Sequence, residues 1–172
     1  MLKAVNLTPG LAPVWRGAET VSGVVRLAYT DKGLYALELP EEGQMAFPLV
    51  SDEDPLWLQE LAADLHDYFA GEVVCFSSPV DDSDYPPFFK RVLAAAAEIP
   101  YGESRSYGWL AEQAQSPQAV RAAGQAMAKN RTPVVVPCHR VLRSDGMLGG
   151  FSGGLHWKKR LLSLEKVLGE DL

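Results

Sequence analysis

The stretch Pro133-Val-Val-Val-Pro-Cys-His-Arg-Val141 decides how the second half of this 172-residue chain is interpreted. A valine run between two prolines predicts a short buried strand that ends abruptly. Cys138 then lies where a rigid element gives way to a turn, with His139 beside it. This pattern is typical of a cysteine nucleophile with a neighbouring base, although a buried cysteine that acts as a small hydrophobe is the commoner case.

The composition is that of a globular protein, with 47% hydrophobic and 22% charged residues. A run of about 18 apolar residues, which a transmembrane helix would need, is absent from the sequence. The first ten residues make a poor signal peptide, since they hold one lysine and no long apolar core. Two cysteines do not make a disulfide framework, so we expect a reduced, cytoplasmic protein.

The net charge of −6 is distributed very unevenly. Residues 1–84 hold 4 Lys/Arg against 15 Asp/Glu, a net charge of −11, whereas residues 85–172 hold 12 against 7, a net charge of +5. This shift predicts two domains, 1–84 and 85–172, of which the second meets a polyanion. An uneven distribution of solubilising charge is the alternative.

The first half has the pattern of a small α+β domain. Strand-like runs at 21–30 and 34–39 flank Asp31-Lys32-Gly33, which predicts a hairpin. Asp54 and Pro55 predict the start of a helix that stops at Gly71, with Asp54 as its cap. Residues 73–76 predict another short strand, and a segment rich in Pro, Ser and Asp over 77–87 predicts a linker.

The second half is mostly helical and contains a predicted helix-turn-helix. Ser106 is placed to cap one helix, and Ser116-Pro117 separates it from a second that runs from about residue 117 to 129. The spacing of the second helix predicts one face in the core and a polar, basic opposite stripe. The core positions are Val120, Ala123, Gly124 and Met127, and the stripe is Gln118, Arg121, Gln125 and Lys129. An ordinary amphipathic surface helix would show the same pattern.

A glycine-rich loop and a last helix follow the cysteine. The loop, 146–154, reads GMLGGFSGG and allows close approach of a ligand to the backbone. In the last helix Glu165 borders the apolar side, so its carboxylate needs a partner. His139 is the attractive candidate, which would give a Cys138-His139-Glu165 arrangement of nucleophile, base and orienting group. A solvated or salt-bridged Glu165 is the alternative.

Four motifs together resemble the O6-alkylguanine-DNA alkyltransferases: PCHRV (137–141), IPYGESRSYGWLA (99–111), AVRAAGQAMAKN (119–130) and the FSGG loop. The resemblance is strong over residues 86–168 and looser in the first half, for which it implies a ribonuclease H-like fold. It implies DNA repair by irreversible, single-turnover transfer of an alkyl group, typically methyl, from O6-alkylguanine in duplex DNA to a cysteine. O4-alkylthymine is a second lesion to consider. We expect a monomer that needs no cofactor and no metal.

The resemblance also implies catalytic roles. Cys138 would be the alkyl acceptor, and His139 would act through a bridging water as the base that forms the thiolate. Glu165 would orient this histidine, and Asn130 would hold the turn before the cysteine. Tyr107 would crowd a DNA phosphate and donate a hydrogen bond to the guanine ring as negative charge develops.

Further residues would bind DNA and the flipped base. Arg121 would fill the gap left by the base, with its helix in the minor groove. Ser152 lies on the loop that would contact O6, and Phe151 stands where relatives often carry tyrosine. The backbones of Cys138 and Val141 would meet the exocyclic amine. Gln118 and Gln125, on the same stripe as Arg121, would also contact DNA.

Two other classes of function fit parts of the sequence. A DNA-binding regulator or lesion sensor would use Cys138 only as a redox or signalling group. It predicts DNA binding without an alkylated cysteine. A cysteine hydrolase with a Cys-His-Glu site would show multiple turnover and would leave the helix-turn-helix unexplained.

Overall fold

The computed structural model describes residues 12–168, and the chain divides between Asp82 and Ser83 into two compact units. The first unit is α+β and the second is mostly helical, as the sequence predicts. Within residues 12–168 the longest helix has 14 residues, too short for a membrane span.

A three-stranded antiparallel sheet forms the centre of the first unit. The strands are β1 (Val14–Thr20), β2 (Gly23–Thr30) and β3 (Gly33–Glu38), and β2 pairs with both neighbours. The predicted hairpin is β2–β3, and Gly33 adopts a φ of 138° in its turn. β1 lies before the predicted strands and was not foreseen, because its alternation is interrupted by Gly17 and Ala18.

The helix α1 (Leu56–Phe69) packs on β1 and begins at a different residue from the prediction. Pro55 occupies the N-cap position, and the Asp54 side chain is buried instead of capping the helix. Asp54 accepts hydrogen bonds from Arg16 Nε at 2.9 Å, from Tyr29 Oη at 2.9 Å and from the Ser51 amide at 3.1 Å. Thus the aspartate joins the sheet to the start of the helix. The predicted stop at Gly71 is confirmed, with a φ of 98°.

The prediction of a strand over residues 73–76 is wrong. This segment has no strand partner, and the contact with β3 comes later, as a single bridge between Leu34 and Val80. Val73 and Cys75 are exposed to solvent, whereas the Phe76 ring lies 5.6 Å from the Tyr68 ring. The run therefore packs on one side but lacks the partner strand that a sheet requires.

Over residues 83–168 the second unit contains four α-helices and a small parallel pairing. The helices are α2 (Pro87–Ala97), α3 (Tyr107–Gln113), α4 (Val120–Ala128) and α5 (Leu155–Leu164). β4 (Arg105–Ser106) pairs in parallel with β5 (Val141–Leu142), which fixes the chain after the cysteine against the start of α3. The core lies between α2, α3 and α4 and includes Cys138 itself.

The helix-turn-helix is present, with a shorter second helix than predicted. Ser106 caps α3, and its hydroxyl accepts a hydrogen bond from the Trp109 amide at 3.1 Å. α4 begins only at Val120, which is 42% exposed, so the prediction that Val120 is a core residue is wrong. As the first residue of α4, Val120 lies at the end of the helix, and the buried face begins with Ala123 and continues through Ala126 and Met127.

The valine run before Cys138 is buried, but it is a turn and not the predicted strand. Val134 has a φ of 75°, which is uncommon for a β-branched residue, and the Val136 amide donates to the Thr132 carbonyl at 2.9 Å. The Asn130 side chain closes the turn by donating to the Val136 carbonyl at 2.9 Å. A local side-chain bond has therefore replaced a strand partner.

We expect Asp54→Ala to lower the free energy of unfolding of the first unit by about 2 kcal/mol at pH 7, because Arg16 and Tyr29 lose a buried acceptor. Burial opposes ionisation of Asp54, but the hydrogen bonds from Arg16, Ser51 and Tyr29 together lower its pKa. A lowered folded-state pKa gives stability that is present above about pH 4, the ordinary value, and is lost as the pH falls through the folded value.

Hydrogen exchange of the β1–β3 amides at pH 7 and in acid measures this difference, which should shrink in acid. The control is Asp67→Ala on the exposed side of α1, which should change stability by less than about 0.5 kcal/mol. Equal losses in the two variants would show that the Asp54 network is not a special source of stability.

Candidate active site

Cys138 begins a single 3-10 turn, Cys138–Arg140, and borders a pocket of about 390 Å³. Its amide donates to the Val136 carbonyl at 2.8 Å, which fixes the backbone at the cysteine. Side chains and backbone from α3, α4 and the glycine-rich loop complete the pocket wall, which consists of Tyr107, Gly124, Met127, Ala128, Cys138, Gly149, Gly150, Phe151 and Ser152. The volume lies in the range of small-ligand sites.

Asn130 holds the turn that carries Cys138. Its Nδ2 donates to the Val136 carbonyl, and its Oδ1 accepts from the Thr132 amide at 3.0 Å and from the Thr132 hydroxyl at 3.2 Å. The side chain is buried, and it lowers the pKa of the Cys138 thiol. One amide group thus binds both ends of the turn that carries the cysteine.

The structure brings His139 and Glu165 together, as the position of Glu165 in the sequence suggested. His139 Nε2 and Glu165 Oε1 are 2.7 Å apart, and both side chains are fully buried. Arg140 donates to the same carboxylate, from Nε to Oε2 at 2.8 Å and from Nη2 to Oε1 at 3.0 Å. The Gly102 amide adds a donor to Oε2 at 3.2 Å. Sequence reasoning missed Arg140, although it follows His139 directly.

Burial keeps the His139 imidazole neutral at pH 7. Desolvation lowers the pKa of His139, the Glu165 carboxylate opposes this change, and the charges of Arg140 and Lys158 add to the lowering. A neutral imidazole has one N–H, and only a donor satisfies a carboxylate, so we assign this proton to Nε2. Nδ1 then carries the lone pair and is the basic nitrogen of the ring.

Burial also keeps Cys138 protonated. Desolvation raises the pKa of the Cys138 thiol to about 11, while the Asn130 hydrogen bond and the Lys158 charge favour the thiolate. At pH 7 roughly one molecule in ten thousand would therefore hold a thiolate at rest. The reactive form must be generated by proton transfer within the site.

Lys158 is the second residue that sequence reasoning missed. It lies on α5, is fully buried, and donates from Nζ to the carbonyls of Val141 at 2.7 Å, Leu148 and Gly150 at 3.4 Å. Desolvation lowers its pKa to about 8. Lys158 is the first of three consecutive basic residues (158–160) and directly follows the buried Trp157. This position beside Trp157 was the signal in the sequence that could have identified Lys158 as buried.

Tyr107 forms one wall of the pocket and packs on Gly149. A Cβ atom at Gly149 would lie 3.1 Å from the Tyr107 hydroxyl, and Gly149 has a φ of 67°, so only glycine suits this position. Burial raises the pKa of Tyr107, and the nearby Cys138 adds to the effect. The phenol is therefore a hydrogen-bond donor at neutral pH.

The remaining predicted residues lie at the pocket, on the surface of α4 or in the turn before it. Ser152 and Phe151 belong to the pocket wall, whereas Arg121 and Gln125 are exposed on α4. Gln118 is also exposed, but it lies in the turn before α4 and not in the helix as predicted. Arg121 makes no ion pair or hydrogen bond with any residue in the range 12–168. The Val141 carbonyl already accepts from Lys158, so a base amine would have to use its second lone pair.

The described residues hold no group of three or more His, Cys, Asp or Glu side chains arranged to bind a metal ion.

Comparison with known proteins gives the family. A profile described as "6-O-methylguanine DNA methyltransferase, DNA binding domain" matches residues 87–167, and the profile of the ribonuclease-like domain of the same proteins matches residues 14–81. A methylated-DNA–protein-cysteine methyltransferase from Mycolicibacterium paratuberculosis is 38% identical over 152 residues, which cover 88% of this chain and 92% of that protein. The chain belongs to the methylated-DNA–protein-cysteine methyltransferase family. The enzyme class and the ribonuclease-like first domain are thereby established.

Solved structures of the family share the fold. The Mycobacterium tuberculosis protein in complex with DNA aligns with a TM-score of 0.74 and 37% identity over 88% of this chain and 92% of its own. The O6-methylguanine-DNA methyltransferase of Pyrococcus kodakaraensis aligns with a TM-score of 0.51 and 26% identity, over 88% and 97%. A further relative, compared by sequence, is a Methanosarcina barkeri member that is 37% identical over 149 residues, which cover 86% of this chain and 94% of that protein.

We expect Lys158→Met to loosen the glycine-rich loop, because three carbonyls lose their donor while the volume of the side chain is kept. Hydrogen exchange of the Arg143, Gly146 and Gly154 amides, which close turns in this loop, should accelerate about tenfold, the effect of losing about 1.4 kcal/mol.

Lys159→Met is the matched control, since Lys159 is the exposed neighbour and should leave these amides unchanged. Exchange that is unchanged in Lys158→Met, or equally fast in both variants, would contradict the anchoring role of Lys158.

Proposed function

We propose that this protein repairs duplex DNA by moving the alkyl group of O6-alkylguanine to Cys138. The observation that carries the proposal is a nucleophilic cysteine at a pocket wall, adjacent to a buried His139–Glu165 pair and to the helix-turn-helix. The family relationship supplies the reaction class, and a Mycobacterium tuberculosis member has been crystallised with DNA.

The first step is proton transfer from the Cys138 thiol toward His139. Nε2 is engaged with Glu165, so Nδ1 receives the proton, through one water as in the family resemblance. The Glu165 carboxylate stabilises the imidazolium that results, in the manner of the orienting acid in a catalytic triad. Asn130 and Lys158 stabilise the thiolate at the same time.

The second step is displacement at the alkyl carbon. The thiolate electron pair forms the new C–S bond, and the C–O6 bond breaks with its electrons going to guanine. The leaving guanine takes up one proton, which balances the proton that the thiol gave to His139. The Tyr107 phenol is placed on the pocket wall to donate to the leaving base. The thioether has no charge and no leaving tendency, so each molecule acts once.

The DNA contact that we propose involves the exposed stripe of α4 and the turn before it. Arg121, Gln125 and Gln118 are exposed, and the opposite face of α4, through Gly124 and Met127, borders the Cys138 pocket. The target base is stacked inside a duplex, so it must be rotated out before it can enter this pocket. We propose that Arg121 takes its place in a minor-groove complex, and that Ser152, Phe151 and the Val141 backbone contact the flipped base.

All the residues named in this mechanism come from one chain, and we propose that the active form is a monomer. The two free cysteines fit a cytoplasmic location. O4-alkylthymine carries the same alkyl–oxygen bond and is the second lesion that we propose as a substrate.

The decisive experiment is peptide mass analysis after mixing the protein with a duplex that contains one O6-methylguanine. We expect one methyl group on the Cys138 peptide, with saturation at one per protein, and no modification of the exposed Cys75. Cys138→Ser should abolish transfer while it retains binding of the lesion duplex. Transfer by Cys138→Ser would refute the assignment, and lesion binding by the unaltered protein without methylation would favour a lesion sensor.

Arg121→Ala should slow repair of duplex DNA about a hundredfold, because the stacking that replaces the flipped base is lost, and that stacking and its cation contribute about 1–3 kcal/mol. Reaction with free O6-benzylguanine should stay within twofold, since no base needs to be rotated out. Arg121→Lys keeps the charge without the planar group and should recover only part of the rate. Equal losses on duplex and free base would contradict intrusion by Arg121.

A further inference from the structure

The hydroxyl of Tyr85 bonds to the backbone on both sides of Asn130. It donates to the Lys129 carbonyl at 2.8 Å and accepts from the Arg131 amide at 2.9 Å. Tyr85 lies just before α2, in a segment that reads as a linker in the sequence, more than 40 residues away from these partners. A tyrosine hydroxyl that uses both its donor and an acceptor site on consecutive peptide groups fixes the backbone between them.

The residue between these two bonds is the one that holds the cysteine turn. Asn130 is buried, and its side chain binds the Val136 carbonyl and the Thr132 amide. The same Val136 carbonyl accepts from the Cys138 amide at 2.8 Å. A continuous series of hydrogen bonds therefore leads from Tyr85, through the Asn130 backbone and side chain and the Val136 carbonyl, to the backbone of Cys138. Because Asn130 must reach several partners at once, a small shift of its backbone changes all of these bonds.

The Tyr85 ring is itself held in place. The Arg131 guanidinium lies 4.4 Å from the ring centroid and 3.3 Å from an Asp84 carboxylate oxygen. The cation–π contact with Arg131 restricts the orientation of the ring. The effects of the Tyr85 ring and of its hydroxyl can thus be measured separately, since removal of the hydroxyl oxygen leaves the Arg131 guanidinium against the ring.

We infer that Tyr85 is a positioning residue for the transfer reaction, because it fixes the Asn130 backbone and through it the turn that carries Cys138. The inference rests on the proposed function, in which Cys138 is the acceptor. The Asn130 side chain is also the group that lowers the pKa of the Cys138 thiol most, against the effect of burial. A misplaced Asn130 therefore lowers the thiolate population without emptying the pocket.

The experiment compares alkylation of Cys138 and Cys75 by iodoacetamide in Tyr85→Phe, with peptide mass as the readout. Cys75 is exposed and lies in the other unit, so it reports the intrinsic rate in every sample. We expect the Cys138 rate, relative to Cys75, to fall three- to tenfold at every pH from 7 to 9, as for an apparent pKa raised by up to about one unit. Methyl transfer from O6-methylguanine duplexes should slow by a similar factor.

The sign of the change separates positioning from structural support. If Tyr85 only stabilised the fold, its loss would open the unit, expose Cys138 and accelerate its alkylation. A faster rate, or a rate within twofold of the unaltered protein, would overturn the inference. Arg131→Met is the matched control, since it removes the guanidinium and keeps the hydroxyl with both its bonds, and it should leave the Cys138 rate within twofold.

A double-mutant cycle tests the route through Asn130. In an Asn130→Ala background, Tyr85→Phe should cause no further slowing, whereas independent action would repeat the full three- to tenfold loss and refute the coupling. The iodoacetamide readout needs no DNA lesion. If the unaltered protein fails to take up methyl from O6-methylguanine, the proposed function fails, while the thiol rates still decide whether Tyr85 acts on Cys138.

Discussion

The buried carboxylate of Glu165 is the constraint on which the active site depends. A charge in this position would be very costly alone, and here four hydrogen bonds from His139, Arg140 and Gly102 satisfy it. These partners come from the cysteine turn and from the turn after α2, so the bonds also tie α5 to both segments. Because the Arg140 guanidinium compensates the charge of the Glu165 carboxylate, the His139 imidazole can remain neutral. The same carboxylate therefore stabilises the fold and selects the tautomer that the chemistry needs.

A dry pocket creates the opposite problem for the nucleophile. Burial raises the pKa of Cys138 to about 11, so the resting thiol is poorly reactive. The groups that favour the thiolate, Asn130 and Lys158, are held by backbone atoms of the very segments that form the pocket. Both groups are therefore in place before a substrate binds. Such preorganised electrostatic stabilisation needs no rearrangement during the reaction. A protein that acts once also benefits from a thiol that stays protonated until a base accepts its proton.

The sequence was informative where function leaves short local patterns and weak where tertiary contacts decide. Ser106, the β2–β3 hairpin and the exposed stripe with Arg121 follow from capping, turn chemistry and helical spacing. The prediction of a strand for the valine run is wrong because Asn130, six residues from Val136, supplies the hydrogen bond that a strand partner would have made. Lys158 and Arg140 looked like ordinary surface cations, since a buried charge is recognisable only when its partners, 17 and 25 residues away, are known. The family motifs named Cys138, His139, Glu165 and Asn130, but not Arg140 and Lys158.

The charges around the pocket favour the thiolate form of Cys138 over the resting thiol. Glu165 and Arg140 compensate each other, His139 is neutral, and Lys158 has no carboxylate partner within residues 12–168, only carbonyl oxygens. Formation of the thiolate places a negative charge near this unmatched cation and partly offsets the cost of burying it. In the proposed reaction, alkylation of Cys138 removes that negative charge permanently, so the stabilisation by Lys158 exists only before and during transfer. The cation thus favours the reactive form of the cysteine over its resting form, and it contributes nothing that would hold the alkylated product.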